Sequence, residues 1–140
     1  MSYFCRMEYI NCVGLIALEN RKLLLAFSRN KQAWYLPGGK VDPGETNLQA
    51  IRREIKEELN LELTPEQLQE YYYIEAPAFG EVNKLMKQHT YLCQLTAIPQ
   101  PTAEIEAIRF FSPADYSGEQ HQVPGVLAAF RKLQADGLID

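Results

Sequence analysis

"REIKEEL", residues 53–59, places five charged side chains in seven positions, and three of them are glutamates. No Gly or Pro interrupts the chain from Thr46 to Leu59, and its apolar residues recur at a helical period. The pattern predicts a helix with Thr46 as N-cap. With Glu54 at the origin and about 100° per residue, Glu57 and Glu58 fall within roughly 60° of it, so the three carboxylates share a face. Ala50 lies within that face and leaves room. Leu48, Ile51, Ile55 and Leu59 form an apolar stripe beside it, while Gln49, Arg52 and Lys56 point the other way. Like charges at this spacing cost about 0.2–0.5 kcal/mol per pair. A solvated charged face is the ordinary account of such a helix. Here the cations mostly point away, and the glutamates border the core stripe. Carboxylates held together there call for a cation, and a hard divalent ion with oxygen ligands, Mg²⁺ or Mn²⁺, meets the need.

The rest of the chain supplies a frame for this helix. Its 140 residues, 46% hydrophobic and 23% charged, fit a single domain over 1–140 with a sizeable core. The net charge of −4 disfavours stable nucleic-acid binding, whose footprint is basic, and leaves room for a polyanionic small molecule met by local cations. Cys5, Cys12 and Cys93 are odd in number and not spaced as a metal site. Cys12 and Cys93 sit in apolar runs and read as buried thiols of a reducing compartment. Neither a signal peptide nor a membrane span is visible, so a cytoplasmic protein that makes no membrane contact is expected.

Strands are expected over 9–18 and 23–29, joined by turn residues 19–22, and over 69–79, 89–98 and 106–112. Residues 34–46 read as a loop with a brief strand. A second helix is expected over 123–137, with Val126, Leu127, Phe130 and Leu133 on one face and Gly137 as its stop. Strands around a central helix, with a helix at the C-terminus, imply a mixed α/β layered fold.

"PGGK", residues 37–40, brings bare backbone near the start of the acidic helix, where carbonyls or amides can face a metal or a phosphate. The full spacing is Gly39, then Glu45 after five residues, then Arg53-Glu54-Ile55 after seven more, with Glu57-Glu58, Asn60 and Leu61 following. This stretch, 39–61, resembles the signature box of the Nudix hydrolases. The one departure is Asn60, where the family usually has Gly. Asn is the best non-Gly residue for the left-handed position after a helix.

The resemblance implies an α-β-α sandwich with a mixed sheet and a catalytic loop-helix-loop. It implies a Mg²⁺- or Mn²⁺-dependent hydrolase that cleaves a nucleoside diphosphate linked to another group, with a small nucleotide as partner and a monomer or homodimer as assembly. Carried over by position, Glu57 and Glu58 are metal ligands, Glu54 is a third ligand or the general base, and the Gly39 carbonyl completes the site. Arg53 and Glu45 tie the loop to the helix. Glu104 and Glu106 are candidates for an additional ligand or a base.

Trp34, Tyr35, Gly38 and Arg29 are candidate substrate contacts, with Lys31 a further phosphate cation. Period-2 alternation puts Trp34 and Tyr35 on opposite faces, and Trp34 is expected to face the cleft. Phe79, Tyr91 and Phe111 are expected in the core. The small size resembles the triphosphate pyrophosphohydrolases of the family, whereas "APAFGE" (76–81) resembles a loop of the ADP-ribose and nucleotide-sugar members. A catalytically silent nucleotide-binding module is the alternative of another class.

Overall fold

The structure, a computed structural model, describes residues 7–140; Cys5 lies outside them. Strand β1 (Glu8–Glu19) runs through the middle of a mixed sheet. It turns through Asn20 and Arg21, both at positive φ, into β2 (Lys22–Ser28). Two left-handed residues match the twist of a tight antiparallel hairpin, which accounts for the turn composition at 19–22. β3 (Ala33–Tyr35) and β4 (Gly38–Lys40) follow, then α1 (Asn47–Leu59). A 3-10 turn leads into β5 (Leu68–Pro77), β6 (Lys84–Cys93) and β7 (Ile105–Phe111). The short α2 (Pro113–Ser117) and the longer α3 (Pro124–Ala135) complete the chain.

The strand order is β3-β2-β1-β6-β5, with β4 on β1 and β7 on β2. β1 and β6 are parallel and the other pairs antiparallel. One edge of β1 changes partner along its length, meeting β4 at Cys12–Gly14 and β2 only at Leu18 and Glu19. The strands diverge in between, and a cleft opens there.

Each face of the sheet carries a core. Val13, Leu15, Ala17, Leu24 and Tyr91 pack against Ile51, Ile55 and Leu59 of α1. Ile16, Leu23, Leu25 and Phe111 pack against Tyr116 of α2 and Val126, Ala129, Phe130 and Leu133 of α3. The arrangement is the α-β-α sandwich expected from the sequence, with Tyr91 and Phe111 buried as expected.

Both ends of α1 are fixed by the residues read as its punctuation. Thr46 accepts the backbone N–H of Gln49, whose side chain in turn accepts the N–H of Thr46. Asn60 adopts φ 54° and ψ 39°. The carbonyls of the last turn are met by the segment after β6: Gln100 N–H donates to Leu59 O, and Thr102 N–H and Oγ1 donate to Glu58 O and Glu57 O.

Two expectations shift. The strand expected over 89–98 begins at Lys84 and ends at Cys93, because its parallel partner β1 pairs with it only through Ala17. The strand expected over 106–112 gives up Ser112, which caps α2, a helix opened by Pro113 just beyond it.

The left-handed cap generates a direct prediction. Asn60→Gly should change the stability by less than about 1 kcal/mol, whereas Asn60→Val should cost about 1–2 kcal/mol, because a β-branched side chain clashes in that conformation. Urea denaturation of the two variants measures both.

Candidate functional site

The cleft where β1, β2 and β4 separate is a cavity of about 390 Å³. α1 presents Glu54 and Glu58 to it, β4 presents Gly38 and Gly39, and the start of β7 presents Glu104 and Ile105. Tyr35, Phe79, Glu81, Met86 and Gln88 line it as well.

Glu58 is the focal residue. It is 8% exposed, and its Oε1 accepts the Gly38 N–H at 2.8 Å. Burial pushes its carboxyl up to about 8, against the pull of that hydrogen bond, with Glu54, Glu104 and Glu57 adding repulsion. Glu54 is also pushed up, chiefly by burial, though the adjacent Arg53 opposes this. Gly39 leaves room for Glu54: a Cβ there would lie 2.6 Å from the Glu54 carboxylate carbon and would push that carboxylate aside. Gly38 has φ +143°, and a Cβ on it would meet Val13 O at 2.0 Å, so only glycine fits.

Arg53 is the cation among the carboxylates. It donates to both oxygens of Glu45, at 2.6 and 2.9 Å, to Glu54 at 3.0 Å and to the Lys40 carbonyl at 3.0 Å. It also reaches Glu57 at 3.3 Å and Asp42 at 3.4 Å. Glu45 in turn accepts the Asp42 N–H, and Arg53 holds its carboxyl down to about 2. This fork ties the loop over residues 40–45 to the helix.

Glu104 reaches the cleft because the segment that meets the α1 carbonyls delivers it there, and Asn30 donates to it at 2.6 Å. Glu106 is exposed and does not line the cavity. Glu57 is exposed beside Arg53. Among the described residues no three acidic, His or Cys side chains converge tightly enough to hold a metal ion. In kind, the donor set fits a hard divalent ion: it is all oxygen, and its buried member, Glu58, has an amide rather than a cation against it.

The substrate candidates divide. Trp34 does not face the cleft. It pairs across from Phe27, and its ring packs 5.2 Å from that of Phe27 and 4.9 Å from that of Phe111. The core rings of β2 and β7 claim this side of β3, and alternation then sends Tyr35 to the cavity. Arg29 is exposed, with its guanidinium on the Ala103 carbonyl, and Lys31 rather than Arg29 lines the cavity. Phe79 is half-buried at the cavity wall and not in the core proper. Cys12 is likewise at the wall, its thiol pushed up to about 11 by burial, while Cys93 is buried.

Gln88 escaped the sequence reading. Its signal is a polar residue at an inward position of an apolar strand. Among the described residues no helix is long and apolar enough to cross a membrane.

The Glu58 environment sets a pH dependence. Between the ordinary carboxyl value of 4.5 and about 8, the folded form holds a proton that the unfolded chain has released. Stability therefore falls as pH rises through that window. Glu45 acts oppositely, contributing stability above its ordinary value that is lost as pH falls towards about 2. In chelator-treated buffer the melting temperature should drop from pH 5 to pH 8, and Glu58→Gln should shrink that drop. Parallel thermal melts of the two proteins test this.

Comparisons with known proteins identify the family and the fold. Residues 8–130 match the sequence profile of the NUDIX domain. The 8-oxo-dGDP phosphatase NUDT18 of Homo sapiens is 53% identical over 62 residues, 43% of this chain and 19% of that protein. The CTP pyrophosphohydrolase of Escherichia coli (strain K12) is 42% identical over 62 residues, 41% of this chain and 46% of that protein. The matched stretches thus span less than half of these relatives' lengths. The crystal structure of MutT NUDIX hydrolase from Burkholderia pseudomallei superposes with a TM-score of 0.75 at 22% identity, covering 90% of this chain and 98% of that one, which is a likeness of fold. The chain belongs to the NUDIX family.

Proposed function

We propose that the protein is a metal-dependent pyrophosphohydrolase acting on a nucleoside diphosphate linked to another group, with a nucleoside or deoxynucleoside triphosphate as substrate. The observation that carries this reading is the buried Glu58, held by the Gly38 amide beside Glu54 and Glu104 in a cavity of nucleotide size. The names of the two relatives, one acting on 8-oxo-dGDP and one on CTP, support a nucleotide substrate. Glu54, Glu58, Glu81 and Glu104 line the cavity against Lys31 and Lys40. A bare polyphosphate is repelled by that balance, and one accompanied by divalent cations is not.

The residues that would hold Mg²⁺ or Mn²⁺ are Glu57, Glu58, Glu104 and the Gly39 carbonyl, with Glu54 left as the base; the family generally uses divalent metals. Such an ion neutralises phosphate charge and lowers the pKa of a bound water. The chain does the rest. Gly38 fixes Glu58 through its amide. Arg53 and Glu45 hold the loop so that Gly39 stays against Glu54. Glu54, made more basic by burial, takes the proton of a water attacking the α-phosphorus. The bond from that phosphorus to the bridging oxygen then breaks, giving a monophosphate and pyrophosphate. Lys31 and Lys40 stand at the cavity to meet phosphate oxygens.

A second reading, ADP-ribose or a nucleotide sugar, is favoured by the placement of Ala78, Phe79 and Glu81 of the 76–81 loop in the cavity wall. Product analysis separates the two, since pyrophosphate forms only from a triphosphate.

A panel of triphosphates, sugar nucleotides and dinucleotides with Mg²⁺ or Mn²⁺ should give pyrophosphate from at least one triphosphate. Glu57→Gln and Glu58→Gln should each lower kcat/KM by about a hundredfold or more while the fold survives, because a charge that balances the metal is lost and the shape is kept. Inactivity of the wild type across the whole panel would favour a silent binding module, and unchanged turnover in both variants would remove the glutamates from the site.

A further inference from the structure

Two polar groups in the cavity are buried without a partner. Gln88 is 7% exposed, and its Oε1 accepts no hydrogen bond. The Tyr35 hydroxyl is likewise buried and unpaired. Both side chains line the same cavity. The Gln88 amide lies in a slot made by two glycines: a Cβ on Gly14 would stand 3.0 Å from its Nε2, and one on Gly125, in the first turn of α3, 3.4 Å from its Oε1. A buried orphan acceptor destabilises the fold, so an apolar residue of the same shape would make a more stable empty protein. The neighbouring lining is apolar: Phe79, whose ring meets that of Tyr35 edge-on with centroids 6.2 Å apart, and Met86. An apolar wall with a few unmet polar groups is the composition of a site for a flat, polar-edged ring.

We propose that Gln88 and Tyr35 are the specificity-determining residues of this protein, reading the hydrogen-bonding edge of a nucleobase while Phe79 covers its face. The assignment rests on the nucleotide reading above and divides the cavity: α1, β4 and the start of β7 serve the phosphates, and β3 and β6 serve the base. The Gln88 amide offers an acceptor beside a donor, the complement of a base edge carrying an N–H next to a ring acceptor or carbonyl. The Tyr35 hydroxyl supplies a further donor or acceptor. Neither the Tyr35 hydroxyl nor Gln88 Oε1 is hydrogen-bonded to Glu54, Glu58 or Glu104, so the expected effect is on which base is bound and not on the bond that breaks.

The test uses Gln88→Met and Tyr35→Phe, which keep the shape and remove the polar atoms. Two readouts are needed. Calorimetric binding of the four nucleoside monophosphates, which are products and not hydrolysed, in Mg²⁺-containing buffer should show the wild type separating its best and worst base by about tenfold or more. Gln88→Met should collapse that separation to less than about threefold, and Tyr35→Phe should narrow it. The melting temperature of the ligand-free variants should stay level or rise, the opposite of what loss of a packing or bonding role produces. Base ranking that persists in both variants overturns the proposal, as does a wild type that binds all four monophosphates equally or none. Those failures leave the hydrolase reading standing if pyrophosphate is still released from triphosphates. Conversely, base-ranked binding that depends on Gln88, in a protein that hydrolyses nothing, supports the base site and sinks the hydrolase reading.

Discussion

The hydrogen bond from the Gly38 amide to the Glu58 carboxylate holds the site together. It links β4 to α1 over β1, and it exists because residue 38 has no side chain. Any Cβ there would strike the Val13 carbonyl. From this contact the surroundings follow. Gly39 comes against Glu54, the loop over residues 40–45 is drawn under Arg53, and the last turn of α1 is left open to the segment that carries Thr102 and Glu104. The Gly-rich loop and the acidic helix are therefore one constructed unit.

That unit stores unfavourable electrostatics. Glu58 is buried with a dipole and not a charge against it, and Glu54 and Glu104 add repulsion. Arg53 relieves Glu45, Glu54 and Glu57 but does not reach Glu58. A protein selected for stability alone would place Gln or Leu at position 58. The orphan Gln88 and Tyr35 groups follow the same logic, polarity kept at a cost to the empty protein.

The sequence disclosed the parts of this arrangement that depend on local chemistry. Thr46, Asn60 and the Asn20-Arg21 turn are readable because capping and left-handed conformations have strong residue preferences. The face shared by Glu54, Glu57 and Glu58 follows from helical periodicity alone. What stayed hidden depends on partners distant in sequence. Trp34 and Tyr35 alternate as expected, but which one meets the cleft was decided by Phe27 and Phe111. The extent of β6 was set by where β1 leaves it. The partner change along the edge of β1, which opens the cavity, has no local signature. Gln88 carried a signal, a polar side chain facing inward, whose meaning depends on the absence of a partner in three dimensions.

The central claim is that the α1 carboxylates are arranged for a divalent cation and not merely tolerated. A Mn²⁺ titration followed by the electron paramagnetic resonance of the free ion tests it without substrate or turnover. The wild type should remove Mn²⁺ from solution saturably, and Glu58→Gln should weaken that binding by about tenfold or more, since a charged ligand becomes neutral. A wild type that leaves the free Mn²⁺ signal untouched, or a Glu58→Gln variant that binds it equally well, would contradict the account.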